Sequence, residues 1–183
     1  QGEGGGGGED PPAHALDNAP RNLFYLTKSV YQTSREFEND ELFISSEILE
    51  TILELCDAAA VEIESSIKLE DAGENLIHRK SGMGTILSSL VYAVGCMKNV
   101  SESEKVQNAL CGAGAVARLA VLLRAVVALC TAMGAVSDRP RPRPAPENWE
   151  RALKLLAQAT GLLRNLGLQK RWAGAFVGGK GRG

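Results

Sequence analysis

The chain writes one short phrase twice. Residues 92–100 read YAVGCMKNV and residues 157–166 read AQATGLLRNL, so that Gly95, Lys98 and Asn99 fall on Gly161, Arg164 and Asn165 at a shift of 66 positions. A second pair of segments agrees. Residues 46–56, SEILETILELC, lie over residues 113–123, AGAVARLAVLL, at a shift of 67, pairing Leu49 with Val116, Ile52 with Leu119 and Leu55 with Leu122. Two segments that recur in the same order at nearly one spacing signal a tandem unit. Such a unit cannot bury its apolar face alone and must stack on a copy of itself.

The units are helical. Leu49, Ile52, Leu53 and Cys56 follow i, i+3, i+4, i+7, one face of an α-helix. Leu23, Leu26, Val30 and Phe37 predict an earlier helix, and Glu147 opens a last one with Leu153, Leu156, Thr160, Leu163 and Gly167 on one side. Between them, Asp71 and Gly73 predict a break, residues 74–80 a short helix ending near Gly82, and Thr85 the cap of the next. Ser101 with Glu104 has the S-x-x-E form of a capping box. No segment alternates as a strand does, and the low aromatic fraction of 5% suits helices packed through Leu, Ile, Val and Ala. The expected fold class is all-α.

Residues 1–20, opening QGEGGGGGEDPP, are low-complexity and predict disorder. Residues 21–136 predict helices, residues 137–146 (ending in the alternating RPRPRPAP) an extended linker, 147–170 a further helix and 171–183 an irregular tail.

Residues 113–136, AGAVARLAVLLRAVVALCTAMGAV, require a membrane test, since only Arg118 and Arg124 are charged in this run of 24. A spanning helix needs about 20 mostly apolar residues, and a mid-span Arg costs roughly 2.5–3.5 kcal/mol. The two Arg leave 12 uncharged residues after them. The expectation is a buried helix with exposed Arg and no membrane association.

Charge is polarised: residues 1–75 carry 17 acidic and 4 basic side chains, residues 76–183 carry 5 acidic and 16 basic. Such asymmetry allows a nucleic-acid surface, although basic residues scattered over solvated helix faces give the same count. The four cysteines, Cys56, Cys96, Cys111 and Cys130, form no C-x-x-C pair and lie in apolar runs, as buried reduced thiols do. His14 and His78 have no metal-binding spacing. No zinc-protease, nucleophile-elbow, P-loop or dinucleotide fingerprint is present, and SGMGT at residues 81–85 lacks the Lys-Ser/Thr of a phosphate cradle. The acidic run Glu36, Glu38, Asp40 and Glu41 lies in a polar connector. The expectation is a protein without catalytic residues, cofactor or metal.

CGAGAVARLAVLL resembles the armadillo-repeat pattern in which a short helix and Gly precede G-[AIG]-[IV]-x-x-L-[IV]-x-L-L. ATGLLRNL and AVGCMKNV resemble the end of that repeat's third helix, A-x-[GW]-x-L-x-N-L. A unit of about 42 residues implies about 24 residues of insertion in each copy. RNLFYLTKS, residues 21–29, reads as the close of an earlier unit. The resemblance implies an armadillo-like solenoid fragment that binds protein partners through a concave groove, alongside further repeats of a longer parent chain. Asn99, Asn165, Lys98 and Arg164 would line that groove, with the two amides either free to hold a partner's backbone or tying down the turn that follows each helix. Armadillo proteins that bind basic import signals carry Trp where this chain has Gly95 and Gly161, which argues against that ligand. FENDELFISSEILETILELC, residues 37–56, is similar to a ciliary and flagellar member of the family. That similarity implies a cytoplasmic, ciliary or flagellar adaptor in axoneme assembly, at the radial spokes and central apparatus. The alternative is a nucleic-acid-associated helical protein using its basic second half. With two units only, the exposed ends predict marginal stability of the chain alone.

Overall fold

A computed structural model describes residues 13–71, 77–134 and 146–167, which form seven α-helices and a 3₁₀ turn, with no strand among them. The helices are α1 (Ala13–Thr33), α2 (Asp40–Ser45), α3 (Ile48–Asp71), α4 (Ile77–Val100), α5 (Glu104–Gly112), α6 (Ala115–Gly134) and α7 (Pro146–Gly167), with the 3₁₀ turn Phe37–Asn39 before α2. The all-α expectation holds. The Gly-rich start, nearly all of the Pro-Arg linker and the tail lie outside the described residues.

Like packs on like. The most extensive pairings are α4 with α7, α1 with α4 and α3 with α6, and the short α2 packs on the short α5. The 67-residue shift of the sequence carries α3 onto α6, and the 66-residue shift carries α4 onto α7, so the repeat is expressed as side-by-side stacking of equivalent helices. The shared core includes Leu53, Cys56 and Ile63 of α3, Leu90, Val94 and Met97 of α4, Leu119 and Leu122 of α6, and Leu155 and Leu162 of α7. Gly114, with φ +74°, makes the tight turn between α5 and α6, a backbone state that Gly adopts without Cβ strain.

Several local expectations are corrected. Helical backbone begins at Ala13, inside the segment read as disordered, and runs through Pro20; Ala13, Ala15, Leu16 and Ala19 supply the helix propensity that the Gly-rich residues before them lack. On α1 the covered residues are Thr27 and Ser34 with half-buried Phe24 and Tyr31, while Leu26 is 62% exposed. Thr27 tolerates burial because its hydroxyl donates to the carbonyls of Leu23 and Phe24, at 2.9 and 3.0 Å. α4 is continuous from Ile77, without a separate helix ending at Gly82. Gly84 lies so close to α7 that a Cβ there would stand 2.9 Å from the side chains of Asn148 and Arg151; this tertiary contact outweighs the weak helix propensity of SGMG. Ser103, not Ser101, precedes α5, and no side-chain capping bond forms there.

The buried stripe on α7 lies one residue before the predicted one. Ala152, Leu155, Ala159, Leu162 and Leu166 are buried, whereas Leu153 is 46% exposed and Thr160 is exposed as well. α6 likewise departs from a helix enclosed on all sides. It is long and apolar enough to cross a membrane by composition, yet only 28% of its residues 115–133 are buried, against α3 and α7. Arg118, expected to be exposed, is largely covered; Arg124 is exposed.

Candidate functional site

The recurring phrase builds a repeated joint between neighbouring helices. α1, α4 and α7 run parallel, because their contacts advance together along each pair: Phe24 meets Tyr92 and Ser34 meets Asn99, then Gly84 meets Asn148 and Ser101 meets Asn165. At Gly95 a Cβ would stand 2.9 and 3.2 Å from the ring of Tyr31. At Gly161 it would stand 3.0 and 3.1 Å from the stem of Lys98. Tyr31 of α1 and Lys98 of α4 are 67 positions apart, so each Gly is the floor on which the equivalent side chain of the preceding helix lies. The glycine is required by close approach.

The asparagines complete the joint. Asn99 Nδ2 donates to Ser34 Oγ at 3.1 Å, and that hydroxyl donates to the carbonyl of Tyr31 at 2.7 Å. Asn165 Nδ2 donates to Ser101 Oγ at 2.9 Å and to the Lys98 carbonyl at 3.3 Å, and Ser101 Oγ donates to the same carbonyl at 2.7 Å. The carbonyls at the C-terminal end of a helix lack intrahelical donors. Each Asn therefore helps finish the end of the helix before its own. This corrects the expectation that the two amides stand free for a partner's backbone: both nitrogens are committed inside the molecule. Lys98 is half-buried along Gly161, and Arg164 is exposed at the outer side of α7.

Sequence reasoning missed an aromatic cluster on the same layer. Phe24 and Tyr92 meet edge-on with centroids 5.7 Å apart, Tyr31 and Tyr92 lie 5.4 Å apart, and Phe24 and Tyr25 lie 5.5 Å apart. All three tyrosines of the chain are in it. Phe24, Tyr31 and Tyr92 are half-buried and Tyr25 is 58% exposed, so the cluster borders solvent. Extending the repeat one unit upstream, so that Tyr31 and Ser34 fall on Lys98 and Ser101, was the signal that would have found it.

Among the described residues, several cations are held in ion pairs. Arg118 Nη1 pairs with Glu50 at 2.6 Å and its Nε with Asp57 at 2.7 Å, across the α3–α6 contact. Arg151 pairs with Glu147 at 3.1 Å, Lys154 with Glu150 at 2.7 Å, and Lys105 with Glu41. Such pairing offsets the charge of these four cations, which lowers the positive potential they could offer a phosphate backbone. Among the described residues no group of His, Cys, Asp and Glu could hold a metal. No disulfide joins Cys56, Cys96, Cys111 or Cys130. Burial, reinforced for Cys56 by the neighbouring Asp57 carboxylate, pushes the thiols of Cys56 and Cys96 from 9.0 up to about 12, which suppresses the nucleophilic thiolate.

The chain matches no family model, no curated protein and no solved structure.

Proposed function

We propose that the chain is an armadillo-type solenoid segment that serves as a protein-binding scaffold. In this reading α2–α4 and α5–α7 are two successive three-helix units, and α1 is the third helix of the unit before them. The single observation that carries it is the joint that recurs in register from α1 to α4 to α7, Gly against the side chain before it and Asn on the helix end before it. A layer of parallel third helices lines the inner face of such a stack. That face carries Phe24, Tyr31, Tyr92 and Lys98, and aromatic side chains with one wet edge are the usual anchors of protein interfaces. The partner contact therefore centres on the α1–α4 aromatics, with Lys98 beside them, while Asn99 and Asn165 hold the helices in place. The similarity to a ciliary armadillo protein extends the proposal to axonemal partners.

Pull-down from ciliated tissue with the full chain tests it, using the Tyr92→Ala variant and circular dichroism to separate binding from folding. The expected result is retained proteins that are lost on Tyr92→Ala at unchanged helicity. Retention of nucleic acid in place of protein, released steeply by salt, would favour the nucleic-acid reading and sink this one.

A further inference from the structure

The joint between layers gives a position-by-position test of the outer faces of α6 and α7. Inside the molecule, α3 turns Glu50, Leu53, Asp57 and Ala60 toward α6, where Arg118 of α6 lies between the two carboxylates. Leu53 and Ala60 are 0% and 1% exposed. Sixty-seven positions on, the same face of α6 carries Ala117, Ala120, Arg124 and Val127, and all four are exposed. On α4, Leu87 and Val94 are fully covered; 66 positions on, α7 has Leu153 and Thr160, both exposed. The outer faces thus keep the small and aliphatic surface of a helix-receiving layer. One charge is reversed, Arg124 standing where α3 has Asp57, and Arg164 repeats the cation of Lys98. Neither Arg124 nor Arg164 has a carboxylate partner among the described residues.

We infer that the α6–α7 edge docks an acidic amphipathic helix of another polypeptide, one that sets small or aliphatic side chains on Ala120, Val127 and Leu153 and carboxylates on Arg124 and Arg164. Charge complementarity selects this occupant. A second copy stacked in the same register would bring its α1, which carries Lys28 where α4 and α7 carry Gly, against Arg164, cation on cation. A second copy meeting edge to edge about a two-fold axis would bring two such basic edges together. Residues 168–183, which follow α7, contain no Asp or Glu, so they cannot supply the carboxylates. The assignment is independent of the aromatic face of α1 and α4, and each can fail without the other.

Selection from a displayed library of amphipathic helical peptides, with Glu, Lys and Gln varied at the interface rim, tests it on the full chain. On the wild-type chain, Glu-bearing peptides are expected to be enriched by about tenfold or more over Lys-bearing ones. On the Arg124→Glu, Arg164→Glu variant the preference should invert, while Tyr92→Ala should leave it unchanged. Both Arg are exposed, so the variant should keep its helicity and melting temperature. No enrichment, an enrichment blind to the charge reversal, or binding of phosphatidylserine vesicles or duplex DNA in place of peptide would overturn the inference.

Discussion

α4 and α7 carry the same phrase in different surroundings. α4 lies between α1 and α7, and none of its side chains in residues 82–100 is fully exposed. α7 has α4 on one side and, among the described residues, no further helix on the other, and Trp149 and Leu153 are 41% and 46% exposed. Equivalent residues therefore differ in burial because of their place in the stack, and the hydrophobic pattern of a helix reports what could be covered before it reports what is. The pairs of equivalent positions make this comparison measurable.

The largest expected difference is between Leu87→Ala and Leu153→Ala. The first removes a side chain with no exposure and should cost about 2–5 kcal/mol in urea denaturation. The second should change stability by less than about 0.5 kcal/mol; a comparable loss there would show that something covers α7. The glycines should differ in sign. Gly95→Ala presses on the tyrosine ring of Tyr31, whose packing with Tyr92 limits its retreat, and should cost about 1–3 kcal/mol. Gly161→Ala meets only the flexible stem of Lys98 and should be neutral, or stabilising by up to about 1 kcal/mol through helix propensity.

Alkaline titration sharpens the contrast between enclosed and open surfaces. The thiols of Cys56 and Cys96 ionise at 9.0 in the unfolded chain but are pushed up to about 12 in the folded one. Each therefore contributes stability that is fully present below pH 9 and is lost as pH rises toward 12, with a slope approaching about 1.4 kcal/mol per pH unit per thiol. A Cys56→Ala, Cys96→Ala chain should lose that slope in thermal melts between pH 8 and 10. The smallest contrast is between the asparagines. Asn165→Ala breaks two donated bonds and Asn99→Ala one, so losses of about 1.5 and 1 kcal/mol are expected, again from urea midpoints.

The order and pairing of the helices were legible because the repeat offset is a long-range signal: once residues 46–56 match 113–123, stacking of α3 on α6 follows. The joint was legible in residue type, with Gly and Asn in both copies, but the destination of each amide was not. Asn99 can bond its own turn, a ligand or a neighbouring helix, and only the parallel register brings Ser34 within 3.1 Å. The buried face of α7 differs from the predicted one because Leu153, Leu156 and Leu163 form as good a helical stripe as Leu155, Leu162 and Leu166; the pattern holds both the face toward the core and an apolar face that the described residues leave open. Gly82 and Gly84 were read as a helix end because propensity is local and the approach of Asn148 and Arg151 is not.

The parallel course of α1, α4 and α7 has an electrostatic consequence. Each helix carries a dipole equivalent to about half a negative charge at its C-terminal end, and a parallel layer gathers these ends on one side, where they repel. An antiparallel bundle would cancel them. Here the cation of each repeated phrase falls in the last turn of its helix, Lys98 on α4 and Arg164 on α7, whereas α1 has no basic residue in its last turn. The amide protons of Asn99 and Asn165 enter the same region. The Gly, cation and Asn thus also balance the field of aligned helices: glycine brings the dipoles close, and the two residues that follow at fixed spacing offset the charge that closeness concentrates.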